Sequence, residues 1–251
     1  MISKYKNDMI TVVTLFWQDP TRDKIRSYKF NMNHVRILRN MVARNLTIPH
    51  EFVCVTNVQT AMDELPKDNI RCVPLDPSKH VPGTVFQRLM LRHPNIGGIL
   101  GRRIFMLDLD VVIVRNFDSI VDRPEDAVFW RNPNYTEGGR RAFYQSSIQL
   151  FDAGARSFLH TEFDPRITPS WVNRRFGAAE QAWFSERLSW DEAHWTSADG
   201  IYGAGRLGDT AAGVDGTNLP ENAKIVSFPG NRLPDDDNML AVHPWVADHY
   251  K

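Results

Sequence analysis

The chain has 251 residues, 42% hydrophobic and 24% charged, which is the balance of a globular protein able to bury a sizeable core. Lysine plus arginine number 30 and aspartate plus glutamate number 30, so no long-range field favours nucleic acid or an anionic membrane. A phosphate-tracking nucleic-acid module is thereby excluded, and any anion must be gripped locally.

Residues 1–8 lack the apolar core of a signal peptide, and no apolar stretch is long enough to span a bilayer, so a cytoplasmic protein without a transmembrane segment is expected. Residues 9–17 (MITVVTLFW) form a first β-branched strand, stopped by Gln18-Asp19-Pro20. Residues 31–46 carry Val35, Leu38, Met41, Val42 and Leu46 at helical spacing. Residues 51–57 and 70–75 are strands, and 85–92 a helix. Cys54 and Cys72 fall in apolar, strand-like contexts, read as reduced core residues and not as a disulfide framework. Strand alternating with helix is the pattern of a mainly parallel α/β sheet, in which ligands bind beyond the carboxyl ends of the strands. Thr14, Thr56, Asn57, Asp108 and Asp110 all lie toward those ends, where one crevice could hold them.

Residues 103–114 (RIFMLDLDVVIV) read as one strand buried on both faces. Side chains alternate along a strand, so Asp108 and Asp110 point to the same side. Two buried like charges repel; either one takes up a proton or both hold a cation. A hard divalent ion completing its shell with water and substrate phosphates suits such a pair, which suggests a clamp on a metal-bound diphosphate.

Beyond residue 118, strands are expected at 127–131 and 146–151 and a helix at 178–188. Residues 199–222 are rich in Gly and Ala and read as too permissive for a packed element. Their first part, 199–216, is a candidate lid over a bound ligand. Six of the seven tryptophans lie after residue 129, mostly as core anchors.

Taken in order, these segments resemble the GT-A glycosyltransferases, and among them the retaining family-8-like enzymes and their bacterial and phage relatives. The resemblance covers most of the chain. It rests on Thr11 to Trp17, Leu46 to Asn57, Phe86 to Pro94, Arg103 to Asp118 with its Asp-x-Asp, Tyr144 to Asp152, Glu180-Gln181, Val226 to Pro234 and the end from His243 to Lys251. It implies a single GT-A-like α/β domain over 1–251, with a nucleotide-binding half at 1–118 and an acceptor-side half at 119–251. The implied reaction is metal-dependent transfer of a sugar from a nucleotide diphosphate sugar to an acceptor hydroxyl, with retention. The acceptor would be a glycan, a lipid-linked intermediate or a small molecule.

By the same resemblance, Asp108 and Asp110 hold Mn2+ or Mg2+, and Arg88 pairs with a phosphate or with an aspartate of the motif. Thr14, Phe16, Thr56 and Asn57 surround base and ribose. Gln145 touches the donor sugar, Gln181 sits near the anomeric carbon and Glu180 bonds sugar hydroxyls. Three positions depart from the family. Ser227 and Pro229 stand where a metal-binding histidine is usual, which leaves a more nucleotide-dependent metal or His243 as its substitute. Gln145 replaces asparagine, and Glu180 replaces aspartate. A non-catalytic nucleotide-sugar or glycan-binding protein is the alternative. A nucleotidyltransferase is disfavoured because residues 18–24 contain no glycine to cradle a triphosphate.

Overall fold

The computed structural model describes residues 9–18, 30–76, 86–132, 142–169, 172, 180–204, 213–214, 216–228, 230 and 233–251. In the first half the elements are β1 (Ile10–Phe16), α1 (Met32–Asn45), β2 (His50–Thr56), α2 (Gln59–Glu64), β3 (Arg71–Pro74), α3 (Gly97–Leu100), β4 (Arg103–Leu107), β5 (Val111–Ile113) and α4 (Asp118–Val121). There follow β6 (Ala127–Arg131), β7 (Tyr144–Asp152), α5 (Phe158–Thr161), α6 (Glu180–Arg187), β8 (His194–Trp195), β9 (Ile201–Ala204), β10 (Gly213–Val214), β11 (Ile225–Ser227), α7 (Asp237–Val242) and α8 (Val246–His249).

A seven-stranded sheet in the order β3-β2-β1-β4-β7-β6-β8 is the frame. Strands β3, β2, β1 and β4 run parallel, β7 is antiparallel to β4 and β6, and β8 is parallel to β6. Strands from beyond residue 118 thus complete the sheet begun by the first half. The inner parallel strands β1 and β4 are buried on both faces because both faces are covered. Val12 and Phe16 of β1 pack with Val35, Leu38, Met41 and Val42 of α1. Val13 and Leu15 face the other way, toward Phe86, Leu89 and Leu91. Helix α1 starts at Asn31, whose side chain accepts from Asn33 N at 2.9 Å while its own N–H donates to His34 Nδ1 at 3.0 Å.

Three expectations are corrected. Residues 103–114 are two strands in two sheets: β4 belongs to the large sheet, while β5 joins a four-stranded sheet in the order β10-β9-β11-β5. Both halves are buried, each in its own sheet, so the apolar run does not mark the turn at Leu109-Asp110 that separates them. The Gly/Ala-rich stretch contributes β9 and β10, held by parallel pairing of β9 with β11, which rules out a lid at Ile201–Ala204. Residues 205–212 of the lid candidate lie outside the described residues. The helix expected at 85–92 is a 3-10 helix, Phe86–Arg92. Among the described residues no helix is long and apolar enough to cross a membrane.

Candidate active site

Asp108 immediately follows β4 and Asn57 immediately follows β2, so both lie beyond the carboxyl edge of the parallel strands. Asp108 and Asp110 are each partly exposed, and Leu109 between them is buried in the core. The turn that carries them is pinned from two sides. Asp108 N donates to Ser147 O of β7 at 2.9 Å, and Phe228 N, just past β11, donates to Asp110 O at 2.8 Å.

The 3-10 helix aims Arg88 at this turn. Its Nη2 donates to Asp108 Oδ2 at 2.8 Å, and its Nη1 to Ser146 Oγ at 3.1 Å and to Glu180 Oε1 of α6. Burial on its own would lower the Arg88 pKa, but the charges of Asp108, then Glu180 and Asp110, hold it above the usual arginine value. Glu180 is 0% exposed, and its Oε2 has no hydrogen-bond partner among the described residues. A shielded carboxylate oxygen with no donor is costly. One residue along each element, Gln181 Nε2 donates to Gln145 Oε1 at 2.8 Å. Five of the expected residues therefore converge through direct contacts: Arg88, Asp108 and Glu180 in one knot, and Gln145 and Gln181 in the adjoining pair. Ser146, beside Gln145, joins the knot through its hydroxyl; its only sequence signal was its place in the motif of β7.

The base-side residues sit differently. Thr14, Phe16 and Thr56 are buried within the strands, Phe16 in the core shared with α1. Thr56 Oγ1 accepts from Val58 N at 3.0 Å. Asn57 is exposed and clasps Gln18, accepting from Gln18 N at 2.9 Å and donating to Gln18 O at 2.8 Å. This clasp joins the ends of β1 and β2, and it is the part of the base-side set that faces solvent.

Two carboxylates supply the hard oxygen donors that Mg2+ or Mn2+ takes. Among the described residues, no group of three or more His, Cys, Asp or Glu side chains is arranged to hold a metal. His243 is buried between Phe228 and Trp245, ring centroids 5.5 and 5.7 Å away, and its Nδ1 lies 3.1 Å from Gly216 O. Ser227 is buried too, its Oγ 3.4 Å from Ser147 Oγ where the two sheets meet. Pro229 lies outside the described residues. The donor set fits a cation that takes two protein carboxylates and draws its other ligands from phosphate oxygens and water.

The sequence matches no family model and no curated protein. The fold, in contrast, matches solved structures. Galactosyltransferase LgtC, in complex with donor and acceptor sugar analogues, aligns over 92% of this chain and 91% of its own, with a TM-score of 0.56 and 10% identity. Mouse xyloside xylosyltransferase 1 aligns over 88% of this chain and 98% of its own, with a TM-score of 0.54 and 12% identity. The bifunctional glycosyltransferase WbbM aligns over 96% of this chain and 51% of its own, with a TM-score of 0.57 and 10% identity. At such identities the likeness is one of fold. The chain has the GT-A glycosyltransferase fold.

Proposed function

We propose that the protein is a metal-dependent glycosyltransferase that moves a sugar from a nucleotide diphosphate donor to an acceptor hydroxyl, with retention at the anomeric carbon. The observation that carries this reading is the Arg88–Asp108–Glu180 knot beyond the carboxyl end of β4. It holds one carboxylate of the Asp-x-Asp pair in place beside a buried acceptor oxygen. The similarity of fold to enzymes named as sugar transferases supports the same reading.

Mn2+ or Mg2+, when bound, neutralises charge growing on the departing diphosphate. Asp108 and Asp110 hold that cation. Arg88 orients Asp108 through a charge-assisted hydrogen bond at 2.8 Å. Glu180 acts behind the site, holding the Arg88 guanidinium toward Asp108. The Gln145–Gln181 pair presents its remaining amide groups to the sugar and sets its orientation. Asn57, at the exposed end of β2, borders the nucleoside.

The test is thermal stabilisation by a panel of nucleotide diphosphates and nucleotide sugars, with and without Mn2+, since a ligand that binds only the native state raises the melting temperature. A shift that needs one nucleotide and the metal together supports the reading; no shift from any donor in folded protein removes it. A second reading, nucleotide-sugar binding without turnover, is favoured by the engagement of Asp108 with Arg88. Hydrolysis or transfer of a bound donor in the presence of Mn2+ would dismiss it.

A further inference from the structure

A second site lies at the opposite end of the sheet. A cavity of about 440 Å3 opens where β2 and β3 begin, lined by Arg39, His50, Glu51, Phe52, Ile70 and Arg71, among others. Strand β2 separates it from Asn57: seven residues, or about 23 Å at ~3.3 Å per residue. It is therefore distinct from the crevice at the carboxyl edge.

The charges around this cavity are unevenly satisfied. Glu51 is spent: it accepts from Arg71 Nε at 2.9 Å, from Arg71 Nη2 at 2.7 Å and from Thr11 Oγ1 at 3.0 Å. The Arg71 guanidinium beside it holds its carboxyl below the usual range. Arg71 completes its fork on Ile99 O at 3.0 Å. On α1 the neighbouring Arg36 is taken by Asp68 at 2.6 Å. Arg39 has no such partner among the described residues: no carboxylate meets it, and its Nε is shielded from solvent without a hydrogen bond. His50, with Nδ1 2.8 Å from Ile48 O, adds an imidazole to the same wall. Exposed Pro66 and the edge of Phe52 supply an apolar wall.

We infer that this cavity binds a small organic anion, its phosphate or carboxylate gripped by Arg39 and its apolar body resting on Pro66 and the edge of Phe52. A planar guanidinium fork matches either anion in bidentate fashion, and Arg39 brings such a fork to the cavity wall with no carboxylate among the described residues to occupy it. Glu51 does not oppose it, because Arg71 neutralises that carboxylate. The inference stands apart from the glycosyltransferase reading.

The experiment titrates the full chain with phenyl phosphate, benzoate and inorganic phosphate and reads the melting temperature without Mn2+. Phenyl phosphate or benzoate should stabilise saturably, and better than inorganic phosphate, which lacks the apolar body. The preferred anion of the first two tells whether phosphate or carboxylate is recognised. Arg39→Gln should weaken the apparent affinity at least tenfold. Ala43→Glu, at an exposed turn of α1 on the cavity wall, should do the same by offering Arg39 a carboxylate of its own. Asp110→Ala should leave the titration unchanged. No saturable shift in the wild-type chain would overturn the site. An equal shift in both cavity variants, or its loss in Asp110→Ala, would place the anion elsewhere and overturn it as well.

Discussion

Arg88 and Asp108, 20 residues apart in sequence, meet at 2.8 Å, and the same guanidinium reaches Glu180 from a third segment. One cation thus offsets two carboxylates, one of them with no exposed surface. Arg88→Met keeps much of the side-chain volume but leaves Glu180 charged and unpaired in the interior. The expected cost is about 3–5 kcal/mol. Adding Glu180→Gln should recover part of it, because the stranded charge is gone. Urea unfolding with an unchanged m-value measures both, and a loss under about 1 kcal/mol for Arg88→Met would contradict the role assigned to the pair.

Asp110→Ala should leave the fold intact, since the side chain is partly exposed, and should lower transfer by about 100-fold or more, in line with the several kcal/mol a cation supplies at a departing phosphate. Metal-dependent stabilisation by nucleotide should disappear with it. Full turnover in a folded Asp110→Ala protein would take the carboxylate pair out of the mechanism.

The contact between Gln145 and Gln181 makes a prediction about selectivity. Gln145→Asn withdraws the acceptor oxygen that Gln181 bonds at 2.8 Å. A change of about tenfold in the relative kcat/KM for two donor sugars is expected, with little change in melting temperature, because one such bond is worth about 1 kcal/mol. Competition assays with paired donors read this directly; an unaltered ratio would free both glutamines from donor recognition.

Gly200 takes φ = +95°, and a Cβ there would collide with Asn222 O, a backbone atom with no freedom to swing aside. Gly200→Ala combines the left-handed penalty with overpacking and should cost at least about 2 kcal/mol. The loss should appear as a lower urea midpoint. Gly216, also at positive φ but with nothing within 4 Å of where a Cβ would lie, should lose less on the same change.

Asp118 joins α4 to the α1–β2 connection by accepting from Thr47 N at 2.8 Å and from Thr47 Oγ1. Burial would raise its pKa, but the bonds from Thr47 and Asn116 outweigh it and lower the carboxyl below its ordinary value of 3.8. A depressed folded-state pKa means stabilisation that is present above about pH 4 and lost as pH falls through the lower folded value. Asp118→Asn should therefore flatten the fall in stability below about pH 4 while lowering stability at neutral pH. An identical acid profile in the variant would remove Asp118 from the linkage.

The alternation of strand and helix through β4 was legible because each element there follows one rule: apolar on both faces for a strand, apolar every third or fourth residue for α1. The Asp-x-Asp pair stands out as charge in an apolar run, but the structure puts it in the turn between two strands and not inside one. The sheet change at Leu109 was not, because burial in either of two sheets leaves the same apolar signature. Strand β9 was hidden by its Gly-Ala composition, although a Cβ at Gly203 would meet Trp130 only at an ordinary contact distance of 3.7 Å. The partnership of Arg88 with Glu180 spans 92 residues and has no local trace. Arg88 is expected on a phosphate or a motif aspartate and Glu180 on sugar hydroxyls; their contact with each other comes only with the fold.

The turn from Asp108 to Asp110 is anchored at one end to the large sheet through Ser147 and at the other to the small sheet through Phe228. The two carboxylates therefore behave as the jaws of a calliper whose arms are different sheets. Their gap is a property of how the sheets are seated on one another, with Ser147 and Ser227 touching at the pivot. On the proposed function, a substitution in β9 that shifts the small sheet would reset that gap and with it the size of cation the jaws would accept.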